Sequence, residues 1–454
     1  MASQIKVEII ERQTVKPPSP TPHHLRNYKL SHHDEMAPAI YIPLLLFYPN
    51  AADANTNNVI ATNERCQHLM QSLTTTLTHF YPLAGRIKGH AVIECNDDGA
   101  EFVKAGVTCS LSEILEHPDA EMLRRFLAID QSDSRESATS PLLLVQINLF
   151  ECGGMAIGFS ISHKFADTST LSLFINCWTA TCHNQSNKLM VPKFGAASLF
   201  SPLNLSNLEP PAFPPAEGAK EKCMTRRFVL DATKIAALQS KVASSAVPKP
   251  TRVQAVSALI WKCKIQASSI SSSSNMLGTS LIRPSVVSQP TNMRKNTVPP
   301  LAENKVGNLV DFSTAHYSHS GESTSGIDLE DLVAKIGEAL EEMKEHCAMK
   351  VVFDTGEAWK KKKEYINLVK NDDIDKYVCT SWCRFPFYEA NFGWGKPSWV
   401  SFVPVPVDNI TNLMDKRDGN GIEAWVNLRQ KKMALFESNE ELLAYASLNP
   451  KVTY

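Results

Sequence analysis

The stretch Leu142–Cys182, LLLVQINLFECGGMAIGFSISHKFADTSTLSLFINCWTATC, decides how this chain is read. Val145, Ile147 and Leu149 alternate with Gln146 and Asn148, the period of a strand. Cys152-Gly153-Gly154 turns the chain, and MAIGFSIS returns as a second strand ending at Ser162. Beyond it, Leu171, Phe174, Ile175, Trp178 and Cys182 recur at steps of three and four, which predicts a helix. His163 and Asp167 fall in the short junction between strand and helix. Functional side chains are often carried at such junctions, because rigid elements hold a short exposed loop.

The pair HxxxD is by itself ambiguous. His163 can be an acid/base imidazole, since its unperturbed pKa lies close to neutrality. Asp167 can cap the following helix beside a structural histidine. A metal pair is a third reading, but open zinc sites normally have three protein ligands and no third lies nearby. No GxSxG elbow, P-loop or strand-to-helix GxGxxG occurs.

Around this junction the chain alternates strands and helices. VEIIERQTV and IYIPLLLFYP read as strands; Cys66, Leu69, Leu73, Leu77 and Phe80 form one helical face, stopped by Pro82 and Gly85. AVIECNDDGAEFV reads as a hairpin about Asn96–Gly99. Asn184–Lys222 is rich in proline and reads as a crossover between two domains. Further on, TRRFVLDATKIAALQSKV predicts a strand and a helix, and TRVQAVSALIWKC a helix with Thr251 as N-cap. QASSISSSSN reads as a flexible loop. Ile327–Met349 is an amphipathic surface helix, WKKKKEY a solvated helix face, Asp418–Gly421 a hairpin turn, and MALFESNEELLAYASL a helical tail. In NFGWGKP, two glycines bracket Trp394; alone this reads as an aromatic-anchored bend.

The totals set outer limits. The 454 residues suggest two or three domains, and 43% hydrophobic content supplies their cores. With 46 Lys plus Arg against 47 Asp plus Glu, the net charge is −1, so no global field draws the chain to nucleic acid or an anionic membrane. The 11 cysteines form no CxxC pair and are expected as free, mostly buried thiols of a reducing compartment. No signal-peptide-like apolar run opens the chain, and no run of about 18 apolar residues occurs. A cytoplasmic protein is expected.

HxxxD in the first third followed by xFGWGKP well after mid-chain resembles the BAHD family of plant acyl-CoA-dependent acyltransferases. PSPTP before YKLSHHDE, FYPLAGRI at Phe80–Ile87, NMRKNTVPPL followed by GN, and SWCRFPFYEANFGWGKP agree with it in order. Through FECGG.AIG, SHK.AD and SWCR the chain is most similar to the branch that holds vinorine synthase and salutaridinol acetyltransferase.

The resemblance implies an α/β fold of two chloramphenicol-acetyltransferase-like domains with a solvent channel between them. They are expected at 1–190 and 223–454, joined by a linker at 191–222; part of 385–425 is a candidate to pack back on the first domain. It implies transfer of a short acyl group, acetyl from acetyl-CoA being expected, to a hydroxyl of a plant specialised metabolite such as an alkaloid or terpenoid. His163 would be the general base in a ternary complex. Asp167 would pair with Arg294 as structural support. Asn391, Phe392, Gly393, Trp394 and Gly395 would shape the fold and the acyl-CoA side. No metal or bound cofactor is implied; acyl-CoA is a co-substrate, and a monomer with a small-molecule acceptor is expected. Segments offered as channel lining are Ile40–Phe47, Met155–Phe159 and Phe385–Tyr388.

Three residues depart from the family pattern. Thr168 stands where many members have glycine, Asn296 replaces an arginine, and Asn391 replaces an aspartate. The last two are the only support for an alternative, a non-catalytic descendant that binds acyl-CoA or a metabolite. An amine acceptor is a further alternative, because N-acylation needs the same base.

Overall fold

The computed structural model describes residues 5–50, 58–129, 139–185, 189–203, 222–272, 282–318, 326–348 and 360–453, except 361–362, 365–366, 369 and 404–406. Two large sheets and one small sheet organise these residues. The first large sheet runs, edge to edge, Val7–Val15, Ala100–Val107, Leu143–Phe150, Met155–Ser162, Tyr41–Tyr48 and Trp399–Phe402. Its strands pair antiparallel except Ala100–Val107 with Leu143–Phe150. Tyr41–Tyr48 and Met155–Ser162 are buried at every residue, as largely apolar strands covered on both faces should be.

One face of that sheet is covered by the helices Asn58–His79 and Thr168–Cys182. Trp178 packs edge-on to Phe159 at 5.8 Å, and its Nε1 donates to Ser72 Oγ (2.9 Å). On the other face Gln146 and Asn148 are fully buried, although their alternation resembles a solvent-facing row. Their amides donate instead to backbone carbonyls of the covering segment, Gln146 to Arg125 (3.0 Å) and Asn148 to Phe126 (2.9 Å). That segment comes so close that a Cβ on Gly158 would lie 2.2 Å from the Phe126 carbonyl oxygen. Glycine is therefore required at this point of the strand.

The second large sheet runs Val310–Tyr317, Ser285–Asn292, Asp375–Ser381, Ile410–Asp415, Ile422–Arg429, Cys223–Leu230 and Ser447–Leu448. Ile422, Ala424, Val426 and Leu428 face a core shared with the helices Arg252–Ser272, Leu329–Ala348 and Gln430–Glu437. The alternate residues Glu423 and Trp425 turn towards the first sheet. Trp399 Nε1, from the last strand of the first sheet, donates to Glu423 Oε2 (3.2 Å). Arg227 completes the joint, donating to both Glu423 oxygens (2.7 and 2.8 Å) with its guanidinium 5.5 Å from the Trp399 ring centre. A buried tryptophan and a buried ion pair thus tie the two sheets together.

Two sequence readings need correction. Asn96–Gly99 is no hairpin: Val92–Glu94 pairs with Asn27–Lys29 and Arg86–Lys88, while Ala100–Val107 pairs in the first large sheet. The turn carries the chain from one sheet to another, and Asp97 caps it by accepting from Thr21 N (2.8 Å) and Oγ1 (2.6 Å). QASSIS does not leave the helix either; Arg252–Ser272 continues through it because Ile265, Ala267, Ser268 and Ser269 are buried. The rest of that serine run, most of the proline-rich crossover (204–221) and half of the lysine run lie outside the described residues. The hairpin at Cys152–Gly154 and the turn at Asp418–Gly421, where Asp418 Oδ1 accepts from Asn420 N and Gly421 N (2.8 Å each), form as the sequence indicates.

Candidate active site

His163 is the first residue beyond the strand Met155–Ser162, and its N–H donates to the Ile40 carbonyl (2.9 Å). The chain then turns tightly: Phe165 N and Ala166 N both donate to Ser162 O (3.1 and 3.0 Å). Phe165, fully buried against Tyr28, anchors the turn. Asp167 ends it as N-cap of the helix Thr168–Cys182, accepting from Thr170 N at 2.7 Å.

The two polar residues of HxxxD serve different partners. Arg294 Nη1 donates to Asp167 Oδ2 (2.7 Å) and Nη2 to Oδ1 (3.2 Å), in the forked geometry that suits a guanidinium and a carboxylate. Leu309 N adds a fourth donation, to Asp167 Oδ2 (3.1 Å). Both side chains of the ion pair are at least 96% buried. The three remaining hydrogens of Arg294 reach Lys305 O, Asn292 Oδ1 and, shared at Nη2, Thr170 Oγ1 and Gly307 O. Gly307 reaches this cluster with φ +128, a conformation that favours glycine. The loop 293–309, which enters the second sheet at Val310, is in this way pinned to the start of the helix after His163.

The His163 ring meets that same loop. Its Nδ1 lies 3.0 Å from Asn308 Oδ1, and Asn308 Nδ2 donates to the His163 carbonyl (2.6 Å). Burial pushes the imidazole below its ordinary pKa, opposed by the Asn308 hydrogen bond and the charge of Asp167. The ring therefore favours its neutral form, which is what a base needs. Among the described residues, no group of three His, Cys, Asp or Glu stands ready to hold a metal ion.

The segment of the second motif lies elsewhere. Phe392 is fully buried, 5.0 Å from Trp178 and 6.1 Å from Trp394; Arg65 lies over the Trp394 ring at 5.6 Å. Tyr48 OH donates to Ala390 O (2.8 Å). These contacts fasten the segment to the first sheet and its helices, just before Trp399–Phe402 joins that sheet. Asn391 Oδ1 accepts from Gly393 N (2.9 Å) and Gly395 N (3.1 Å). An amide oxygen does there what a carboxylate oxygen would do. Asn296 in turn donates to Asn292 O (2.9 Å), within its own loop. Both departures thus have local hydrogen-bonding roles, and neither argues for a non-catalytic descendant. Asn391→Asp is expected to change the melting temperature little, whereas Asn391→Ala, which orphans two N–H groups, should cost about 1 kcal/mol; thermal melts of the two variants check this.

Two residues at the site were overlooked in the sequence, Asn308 and Asp34. Both stand in stretches that mark the family, GN and YKLSHHDE, but 274 positions separate them. Of the proposed lining segments, Ile40–Phe47 is buried from Tyr41 onward and Met155–Phe159 is buried throughout. Phe385 is partly exposed and packs 5.7 Å from Phe387.

The profile of the Transferase family matches residues 5–443. Akuammiline synthase 1 of Alstonia scholaris is 36% identical over 441 residues, covering 97% of both chains. Stemmadenine O-acetyltransferase of Catharanthus roseus is 34% identical, covering 96% of this chain and 97% of that one. The crystal structure of vinorine synthase, an enzyme of Rauvolfia serpentina, superposes with a TM-score of 0.81 at 33% identity, over 99% of this chain and 100% of the other. A family profile over nearly the whole chain and relatives named as O-acetyltransferases make this an acyl-transferring enzyme that takes its acyl group from acyl-CoA. The chain belongs to the BAHD family of plant acyltransferases.

Proposed function

We propose that this enzyme moves an acetyl group from acetyl-CoA to a hydroxyl of a plant specialised metabolite, an alkaloid being the favoured class, with His163 as general base. One observation carries the assignment of the base. The His163 ring has Nδ1 engaged by Asn308 Oδ1, which leaves Nε2 for a substrate proton. The relatives support the donor and the bond formed, since one is named for acetylating an oxygen of stemmadenine.

A neutral alcohol is a weak nucleophile. Nε2 takes its proton as the oxygen attacks the thioester carbonyl, and the C–O bond forms as the carbonyl becomes an oxyanion. The C–S bond then breaks, and the imidazolium returns its proton to the departing CoA sulfur. The products are the ester and free CoA thiol. Both substrates are bound together, acyl-CoA entering from one end of the inter-domain channel and the acceptor from the other. The domains are taken as 1–190 and 223–454 with the linker between them. Asp167 and Arg294 hold the turn that carries His163.

We place the enzyme in the cytoplasm as a monomer without nucleic-acid or membrane partners. All 11 cysteines are free thiols, and burial pushes Cys66, for instance, up to about 11, far from reactive. No helix among the described residues is long and apolar enough to cross a membrane.

The ternary mechanism is tested by mixing enzyme with acetyl-CoA alone and following thiol release. No burst is expected until a hydroxylated alkaloid is added, and then one thiol should appear per ester. A stoichiometric burst without acceptor would mean a covalent acyl-enzyme and would overturn the direct transfer.

A further inference from the structure

Asp34 is a fully buried carboxylate that the proposed chemistry does not use. It sits in the five-residue helix His32–Met36, whose N-cap Ser31 donates to Asp34 Oδ2 through both N (2.9 Å) and Oγ (2.6 Å). The other oxygen, Oδ1, accepts from Asn308 N (2.7 Å) and Asn308 Nδ2 (3.0 Å). Burial pushes this carboxyl up, while the hydrogen bonds from Ser31 and Asn308 oppose the rise. Four donations to two oxygens suit the ionised form. Glu35 fixes the same helix: its carbonyl accepts from Lys164 Nζ (2.8 Å) and its Oε2 from Leu203 N (2.6 Å).

The Asn308 amide has one permitted orientation. Its Nδ2 faces two groups that can only accept, the Asp34 carboxylate and the His163 carbonyl. Its Oδ1 must then face His163 Nδ1, and an oxygen of an amide can only accept. The hydrogen must be on Nδ1. Were Asn308 reversed, its NH2 would face Nδ1, the proton would move to Nε2, and the base would be lost.

We propose that Asp34 and Asn308 form a positioning relay, Asp34···Asn308···His163, that fixes His163 in the tautomer with hydrogen on Nδ1 and the lone pair on Nε2. The relay rests on the reading of His163 as base. Asp34 holds the amide; the amide holds the ring at Nδ1 and at its own carbonyl. When the imidazole gains its second proton, the relay places an amide oxygen, polarised by a buried carboxylate, against the new positive charge. Other charged groups around the ring are already engaged: Asp167 with Arg294, and Lys164 with the Glu35 carbonyl. The relay also crosses the seam, since Asp34 and His163 belong to the first half of the chain and Asn308 opens into the second sheet. Gly307 permits the turn into this contact through its φ of +128, a backbone that side chains rarely adopt, and a Cβ there would meet Ala196 Cβ at 3.3 Å.

The test compares His163→Ala, Asn308→Ala, Asn308→Asp and Asp34→Asn, using acetyl-CoA and a hydroxylated alkaloid, with melting curves for each. Asn308→Ala should lower kcat by about 100-fold with little change in the KM for acetyl-CoA, because a general base with the wrong tautomer forfeits most of its 10²–10⁴ contribution. Asp34→Asn should lower kcat by about tenfold on the same grounds. Asn308→Asp returns an acceptor to Nδ1 but sets its second oxygen against Asp34 Oδ1, so the two carboxyls share one proton. Its activity should stay below the parent's, and the charge brought next to the ring should move the acid limb of kcat/KM to higher pH. A purely structural role would not move that limb. The relay is refuted if folded Asn308→Ala keeps kcat within about twofold, or if Asn308→Ala and Asn308→Asp share the parent's pH profile. Activity retained by His163→Ala would instead remove the base, a result separable from either.

Discussion

His163→Ala should abolish acetyl transfer while leaving the protein folded. Removing a general base typically costs about 10²–10⁴ in rate, so turnover should fall to near the detection limit of a thiol-release assay. The fold should survive because, among the described residues, the ring's side-chain hydrogen-bond partner is Asn308. Orphaning Asn308 Oδ1 costs about 1–3 kcal/mol, less where water fills the space vacated by the ring. The pH profile sharpens the test. Burial pushes His163 below its ordinary value, so the parent's kcat/KM should be level through neutrality. It should fall only below about pH 6.5, as the base becomes protonated. The residual activity of the alanine variant should lack that limb. A variant that melts normally and turns over near the parental rate would take the base role away from His163.

How much of this was legible in the sequence follows from the range of the interactions. The strand–turn–strand–helix run around His163 is local, and its periodicities of two and about 3.6 sufficed. The corrected hairpin at Asn96–Gly99 has the right turn chemistry, but the partners of its two strands lie in different sheets, and turn residues carry no information about distant pairing. Gln146 and Asn148 illustrate a related limit. Alternation identifies two faces of a strand without saying which is wet, and here the polar face is capped by backbone carbonyls of a segment some 20 residues earlier. The ion pair Asp167–Arg294 came from family resemblance, since 127 positions separate its members. Asn308 and Asp34 stand in stretches that mark the family, but the stretches do not show what the two side chains bond. Their meaning resides in hydrogen-bond direction, which only coordinates supply.

Asp167→Ala should be the most destabilising of the substitutions considered, for two separable reasons. It strands Arg294, a cation 99% buried, and losing one partner of a buried pair costs about 3–5 kcal/mol. It also removes the N-cap of the helix Thr168–Cys182, worth about 0.5–2 kcal/mol more. Asp167→Asn divides the two, because its Oδ1 can still accept from Thr170 N while the charge is gone. It should therefore fall between the parent and Asp167→Ala in denaturant midpoint. Arg294→Met supplies the remaining corner of a double-mutant cycle. The double variant Asp167→Ala/Arg294→Met should be less destabilised than the sum of its singles, because no buried charge is left alone. Activity should follow a different order. The pair holds the turn and the loop 293–309, and the Asp167 charge also lifts the His163 pKa. A folded variant without that charge should therefore lose kcat and keep an acid limb displaced to lower pH. If Asp167→Ala instead abolished that limb with little loss of stability, Asp167 would belong to the chemistry. Its four donations, from Thr170, Leu309 and twice from Arg294, argue against that. Both of its oxygens are occupied, and no hydrogen bond links either to the imidazole.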